Sequence, residues 1–170
     1  LGIQERILLI IPFFLSGAWG IWRLGESIKL SNSAKLLSAL FYFLNTYVLL
    51  LIDGGQLSIG LAYGFFPISF LAVEKSVYSG LREKILAGLA VSVLGIFDIR
   101  FIFILFLLLL VRFFYEFLFI KKRLWWISSW IKTGIVISLI LVGVNLYWLF
   151  PLIRFPLSSG TYAALTGTSF

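Results

Sequence analysis

Cysteine, histidine and methionine are all missing from the 170 residues. Without cysteine there is no disulfide and no thiolate metal site. Without histidine the commonest general base and metal ligand is gone. Charge is scarce as well. Charged side chains make up 12% of the chain, where a soluble domain carries roughly a quarter. Hydrophobic residues fill 61% of it, and mean hydropathy is +1.08. That makeup predicts an all-α, polytopic transmembrane helix bundle in a cell membrane, with membrane lipid as its first partner. Acids are outnumbered by bases, 7 to 14, for a net charge of +7. The surplus is spread over short polar connectors and forms no single patch, so no nucleic-acid partner is expected. A chain without methionine reads as an internal piece of a larger chain or complex, and no stretch has the order of a cleaved signal peptide.

The chain is organised around residues 41–72, FYFLNTYVLLLIDGGQLSIGLAYGFFPISFLA. Two apolar segments flank the break Asp53-Gly54-Gly55-Gln56, and Asn45 is set inside the first. Taken in order, the hydrophobic runs predict about six spans: residues 7–22, 34–52, 57–77, 82–97, 101–119 and 125–150. In the first, Ser16-Gly17-Ala18 is a stripe of small residues that suits close helix packing. Ser31 or Ser33 is placed to cap the second. In the third, Pro67 removes one backbone hydrogen bond and frees the carbonyl of Tyr63, which a neighbouring helix is expected to satisfy.

Residues 81–119 cannot form one span. As a single helix they would measure about 58 Å, against a hydrocarbon core of ~30 Å. Asp98-Ile99-Arg100 is the only charged group between Lys84 and Arg112, so a short helical hairpin is expected to turn there. Its first arm is short enough that the turn is expected to sit below the outer surface. In the second arm Arg112 and Glu116, spaced i,i+4, are expected to pair for structural reasons. In the last span Trp125, Trp126 and Trp130 mark one interface and Tyr147 with Trp148 the other. Pro151 and Pro156 are expected to end it, so that residues 1–157 form the bundle and 158–170 begin a polar extracytoplasmic loop.

Six spans alternate the connectors between two faces. One receives Arg23, Lys29, Lys35, Lys75, Arg82, Lys84, Lys121, Lys122 and Arg123; the other receives Arg6, Arg100 and Arg154. Loop lysine and arginine bias makes the crowded face cytoplasmic. The chain ends and the Asp53 and Asp98 turns are then extracytoplasmic.

Two clusters on that sparse face are candidate substrate-binding groups. Asp53 with Gln56 reads either as a hydrated turn and helix cap or as a site where the glycines admit a ligand. Asp98 with Arg100 reads either as a turn with a local ion pair or as a sunken ligand site. Arginine there would suit phosphate, because its planar fork donates to two oxygens at once. Asn45 and Asn145 read as interhelical hydrogen-bond formers. No metal-ligand spacing, phosphate loop or nucleophile-and-base pair can be found, so no cofactor is expected and the catalytic residues are unknown.

Tyr42-x-x-Asn45-x-Tyr47-Val48, Gly54-Gly55-Gln56-Leu57, Ala62-Tyr63 and Phe66-Pro67 together resemble the central part of multi-spanning membrane glycosyltransferases of the GT-C superfamily, nearest the bacterial and archaeal arabinofuranosyltransferase-like branch. The Gly95-Ile96-Phe97-Asp98 turn and Asn145-x-Tyr147-Trp148-Leu149-x-Pro151 are similar to later parts of that pattern. The pattern's Asn-Pro is Asn45-Thr46 here, and its Gly-His is Gly55-Gln56. The resemblance implies transfer of sugar from a polyprenyl-phosphate donor on the extracytoplasmic face. It also implies that the family's catalytic acid, in an earlier outer loop, lies outside this chain, as would any divalent metal of the longer protein. Transport or flipping of a lipid, and a purely structural membrane subunit, are the rival readings.

Overall fold

The computed structural model describes residues 3–119 and 123–154. Within them the chain is entirely helical, with α1 (Ile3–Ser27), α2 (Asn32–Phe43), α3 (Thr46–Asp53), α4 (Leu57–Val77), α5 (Leu81–Phe97), α6 (Ile99–Phe119) and α7 (Arg123–Arg154). Among the described residues three segments are long and apolar enough to cross a membrane: Leu57–Val77, Ile99–Phe119 and Trp125–Tyr147. Exposed apolar side chains such as Phe103, Phe106, Leu107 and Val111 cover the outside of α6. In water such a patch would demand a partner; against lipid tails it is an ordinary surface.

α4 is the hub. It lies against α1 on one side and α5 on the other, and α3, α6 and α7 also touch it. The α1 contact is close because both helices present small residues there. A Cβ on Gly64 would come within 2.6 Å of the Phe13 carbonyl, and one on Gly17 within 3.4 Å of the Gly64 Cα. The Ser16-Gly17-Ala18 stripe is thus a packing face, as its composition implied. Two apolar clusters flank α4: Phe13, Val48 and Leu61 on the α1–α3 side, and Ala62, Val73, Val91, Leu94, Phe101 and Leu105 on the α5–α6 side.

α4 and α5 form an antiparallel hairpin. Lys84 reaches the Ser76 carbonyl, the Ser69 hydroxyl donates to the Ala90 carbonyl at 3.2 Å, and the Phe65 and Phe97 rings are 5.6 Å apart. The Asp98 turn therefore comes level with Phe65. α4 continues eight residues further to Leu57, about 12 Å at 1.5 Å per residue. Relative to the outer end of α4 the turn is recessed by that length.

Local signals explain two of the helix ends. The Ser31 hydroxyl caps α2 by accepting the Ala34 N–H at 3.3 Å. Gly55 stands at φ +66° after α3, and the Gln56 N–H closes back onto the Leu51 carbonyl at 3.0 Å, a left-handed helix stop that favours glycine.

Two expectations are corrected. Residues 34–52 do not form one helix: α2 ends at Phe43 and α3 begins at Thr46. The cause is Asn45, whose side-chain oxygen accepts the Val48 N–H at 3.0 Å and so starts a new helix. Nor does Pro151 end the last helix, since α7 runs through it to Arg154. Proline removes one N–H and bends a helix, but inside an apolar bundle it need not terminate it. Pro156 and the expected polar loop, residues 158–170, lie outside the described residues, as do Lys121 and Lys122.

Candidate functional site

The α2–α3 break and the helix with the proline satisfy each other. Pro67 has no N–H to give the Tyr63 carbonyl one turn earlier, and the Tyr42 hydroxyl donates to that carbonyl at 2.6 Å. In return the Tyr63 hydroxyl donates to the Tyr42 carbonyl at 2.9 Å, which the break has cut off from the N–H of residue 46. The two rings stack with centroids 4.3 Å apart. Asn45 completes the knot: its amide nitrogen donates to the Tyr42 carbonyl at 2.7 Å and to the Tyr63 hydroxyl at 3.1 Å. The Tyr42 and Tyr63 carbonyls and the Val48 N–H thus have partners without water, as lipid surroundings favour.

This knot is at the depth of the recessed turn. Phe101, three residues past Asp98, packs edge-on against Tyr63 at 6.4 Å and against Phe66 at 5.9 Å. Tyr47 is 5.8 Å from Tyr63 ring to ring, and its hydroxyl is within electrostatic reach of Arg100. Tyr42, Asn45, Tyr47, Tyr63, Asp98 and Arg100 form one polar layer inside an otherwise apolar half of the bundle.

Within it, Asp98 and Arg100 make a forked pair. Arg100 Nε donates to both carboxylate oxygens at 3.0 Å, Nη2 donates to Oδ2 at 2.6 Å, and the Arg100 backbone N–H donates to Oδ1 at 2.9 Å. The guanidinium hydrogen bonds hold the Asp98 carboxyl below the usual carboxylate range, outweighing its desolvation. The pair is lopsided. The Asp98 side chain is only 7% exposed, whereas Arg100 is 69% exposed and its Nη1 makes no hydrogen bond among the described residues. Asp98 grips the arginine from behind and presents its free edge outward.

Asp53 and Gln56 are not part of this layer. Both are exposed, about 12 Å further along α4, and Gln56 begins α4 without a side-chain cap. The structure brings Asp98 to Arg100 and leaves Asp53 and Gln56 as a separate outer rim. Asn145 is buried in α7 and donates to the Leu141 carbonyl at 2.9 Å.

The opposite end of the bundle holds a second polar group, which is saturated. Glu116 Oε2 accepts from the Tyr78 hydroxyl at 2.6 Å, from Trp126 Nε1 at 2.5 Å and from Trp130 Nε1 at 3.1 Å. Its Oε1 meets Arg112 Nη2 at 2.7 Å, and Arg112 Nε is 2.6 Å from Glu74. The expected i,i+4 pair is present, extended by donors from α7 and from the end of α4. Burial, followed by the hydrogen bond to this carboxylate, pushes the Tyr78 hydroxyl up to about 12. Beside it Lys84 is buried and donates to the Ser76 carbonyl at 2.6 Å and to Thr133 Oγ1 at 2.9 Å, satisfying the end of α4.

Sequence reasoning missed the tyrosines of the polar layer. The one usable signal was Pro67, which orphans the Tyr63 carbonyl and calls for a donor nearby. Among the described residues no three acidic, histidine or cysteine groups come together as a metal site. No protein-family model, curated protein or solved structure matches the chain.

Proposed function

We propose that this chain is the membrane-embedded piece of a glycosyltransferase that takes sugar from a polyprenyl-phosphate donor on the extracytoplasmic face. In this reading it crosses the membrane six times, with α2 and α3 as one interrupted crossing and α5 with α6 as the short hairpin. The loop lysines and arginines gather at the Glu116 end, which makes that end cytoplasmic and the Asp98 turn extracytoplasmic.

The observation that carries the proposal is the free outer edge of Arg100, displayed from a recessed turn whose backing carboxylate fixes its orientation. The outward edge of the guanidinium keeps donors that Asp98 does not use, and such a planar fork suits phosphate oxygens. The sugar would extend from the phosphate toward the outer rim, where Asp53 and Gln56 can accept from and donate to hydroxyls. Asp98 acts as a positioning residue behind Arg100. Catalytic acid chemistry would come from a part of the protein outside this chain.

The test is donor binding and transfer by the protein in its membrane. Arg100→Ala should weaken binding of the polyprenyl-phosphate sugar at least tenfold, with Arg100→Lys intermediate because it keeps charge but loses the fork. Unchanged binding and transfer in Arg100→Ala would end the proposal.

Transport has one observation in its favour, the interrupted α2–α3 pair, since broken helices often line transporter sites. Against it, the residues next to the break toward the Glu116 end are aromatic. Phe13, Phe14 and Phe43 interlock with centroids 4.8 to 5.4 Å apart, where a transport path would need polar groups. Uptake of a lipid-linked or free sugar by proteoliposomes, undiminished in Arg100→Ala, would favour transport instead.

A further inference from the structure

Three tyrosines meet in the polar layer, and two of them use their hydroxyls on backbone. Tyr42 donates to the Tyr63 carbonyl at 2.6 Å, and Tyr63 donates to the Tyr42 carbonyl at 2.9 Å. The third is different. The Tyr47 hydroxyl makes no hydrogen bond among the described residues, and Tyr47 is 48% exposed.

The α2–α3 break explains how Tyr47 comes to be placed so. In an unbroken helix it would follow Phe43, four residues earlier, on the same face. Phe43 packs against Phe13 and Phe14 of α1. After the break Val48 takes that inward place, 1% exposed and clustered with Phe13 and Leu61. Tyr47 is left beside Tyr63, with ring centroids 5.8 Å apart. Phe101, the residue next to Arg100, packs on the same Tyr63 ring at 6.4 Å. The Tyr63 ring therefore gathers the first turns of α3 and α6, and the Tyr47 hydroxyl comes within electrostatic reach of the guanidinium. A neutral donor with no internal partner thus stands near a cation whose outward edge is also open.

We propose that Tyr47 and Arg100 hold one phosphate between them, the tyrosine hydroxyl donating to one oxygen and the outward edge of the guanidinium to the others. This rests on the phosphate reading of Arg100 and adds a second binding residue from a different helix. Asp98 fixes the guanidinium, and the break at Asn45 fixes the hydroxyl. The interruption between α2 and α3 then serves the ligand as well as the packing.

Tyr47→Phe isolates the hydroxyl, because it keeps the ring on Tyr63 and removes a group without an internal partner. The full-length protein in detergent is titrated with a fluorescent polyprenyl monophosphate, against which unlabelled polyprenyl monophosphate and inorganic phosphate compete. Tyr47→Phe should raise Kd about tenfold, as loss of a hydrogen bond to a charged group does, with the melting temperature unchanged. In the Arg100→Ala background the same substitution should change Kd less than about twofold, since both residues act on one anion. Competition by the lipid alone makes the ligand a lipid phosphate. Equal competition by inorganic phosphate keeps the two-residue site and makes its ligand a free anion. Parent-like binding by Tyr47→Phe, beside weak binding by Arg100→Ala, would overturn the inference and leave Arg100 its phosphate. An equal loss in both backgrounds would also overturn it, because the two residues would then act on separate groups. Full binding by both single variants, or none by the parent, would remove the phosphate reading of Arg100 and this inference with it.

Discussion

Glu116 and Arg100 are both charged groups in the long apolar helix α6, one near each end, and their surroundings differ in kind. Glu116 is almost fully buried and receives four donors from three other side-chain types: a tyrosine, two tryptophans and an arginine. Arg100 is held on one edge by a single carboxylate and open on the other. The contrast separates two reasons for keeping charge in an apolar chain. A saturated charge ties helices together and has nothing left to offer a ligand. An unsaturated one, fixed from behind, keeps donors free for something else to complete.

The contrast breaks most visibly if Glu116 turns out to be dispensable. Glu116→Ala strands three donors and half of the Arg112 pairing in a buried site, and removal of one partner from such a group costs about 3–5 kcal/mol. Thermal unfolding in detergent, followed by tryptophan fluorescence, should show the largest loss of any single substitution considered, with Glu116→Gln milder because one acceptor oxygen survives. A loss below about 1 kcal/mol would put Glu116 in the same class as an exposed surface pair.

A smaller effect sharpens what the polar layer does for the backbone. Tyr42→Phe orphans the Tyr63 carbonyl that Pro67 has already freed, at a cost of about 1–3 kcal/mol. Pro67→Ala returns an N–H to that carbonyl, so the Tyr42 hydroxyl becomes redundant for it. In the Pro67→Ala background Tyr42→Phe should therefore cost distinctly less. Equal costs in both backgrounds would mean that the tyrosine stabilises the break by some means other than this carbonyl.

The sequence exposed one side of these arrangements far better than the other. The third apolar run, residues 57–77, coincides with α4 because it is bounded by the Asp53–Gln56 turn and by a polar connector. The Asp98 turn was legible because one helix of 39 residues could not fit a bilayer and only one charged pair could interrupt it. The Arg112–Glu116 pair follows from helical spacing alone. Asn45 was read as a hydrogen-bond former within an unbroken helix, and that missed the break. Whether an asparagine bridges helices or starts a new one depends on Tyr63, eighteen residues away and on another helix. Trp126 and Trp130 likewise read as interfacial aromatics. Their second role depends on Glu116 of α6 lying opposite them, a tertiary fact that no local pattern encodes.

The smallest expected effect tests the Asp98–Arg100 pair by acid. Asp98 has its pKa lowered by the Arg100 guanidinium, so the pair stabilises the fold at pH values above the unfolded-state aspartate value of about 3.9. That contribution fades as pH falls through the still lower folded value, because protonation removes the charge that the guanidinium grips. Arg100 is largely solvated, so the amplitude should be slight and should shrink further in salt. The measurement is detergent-state stability from pH 6 to pH 2 for the parent and for Asp98→Asn. The difference between them should be flat above about pH 4 and narrow below it. A difference that widens with acid would mean that Asp98 is favoured in its protonated form. The recessed turn would then be a neutral hydrogen-bonded cap, and Arg100 would have lost the fixed anion that aims it outward.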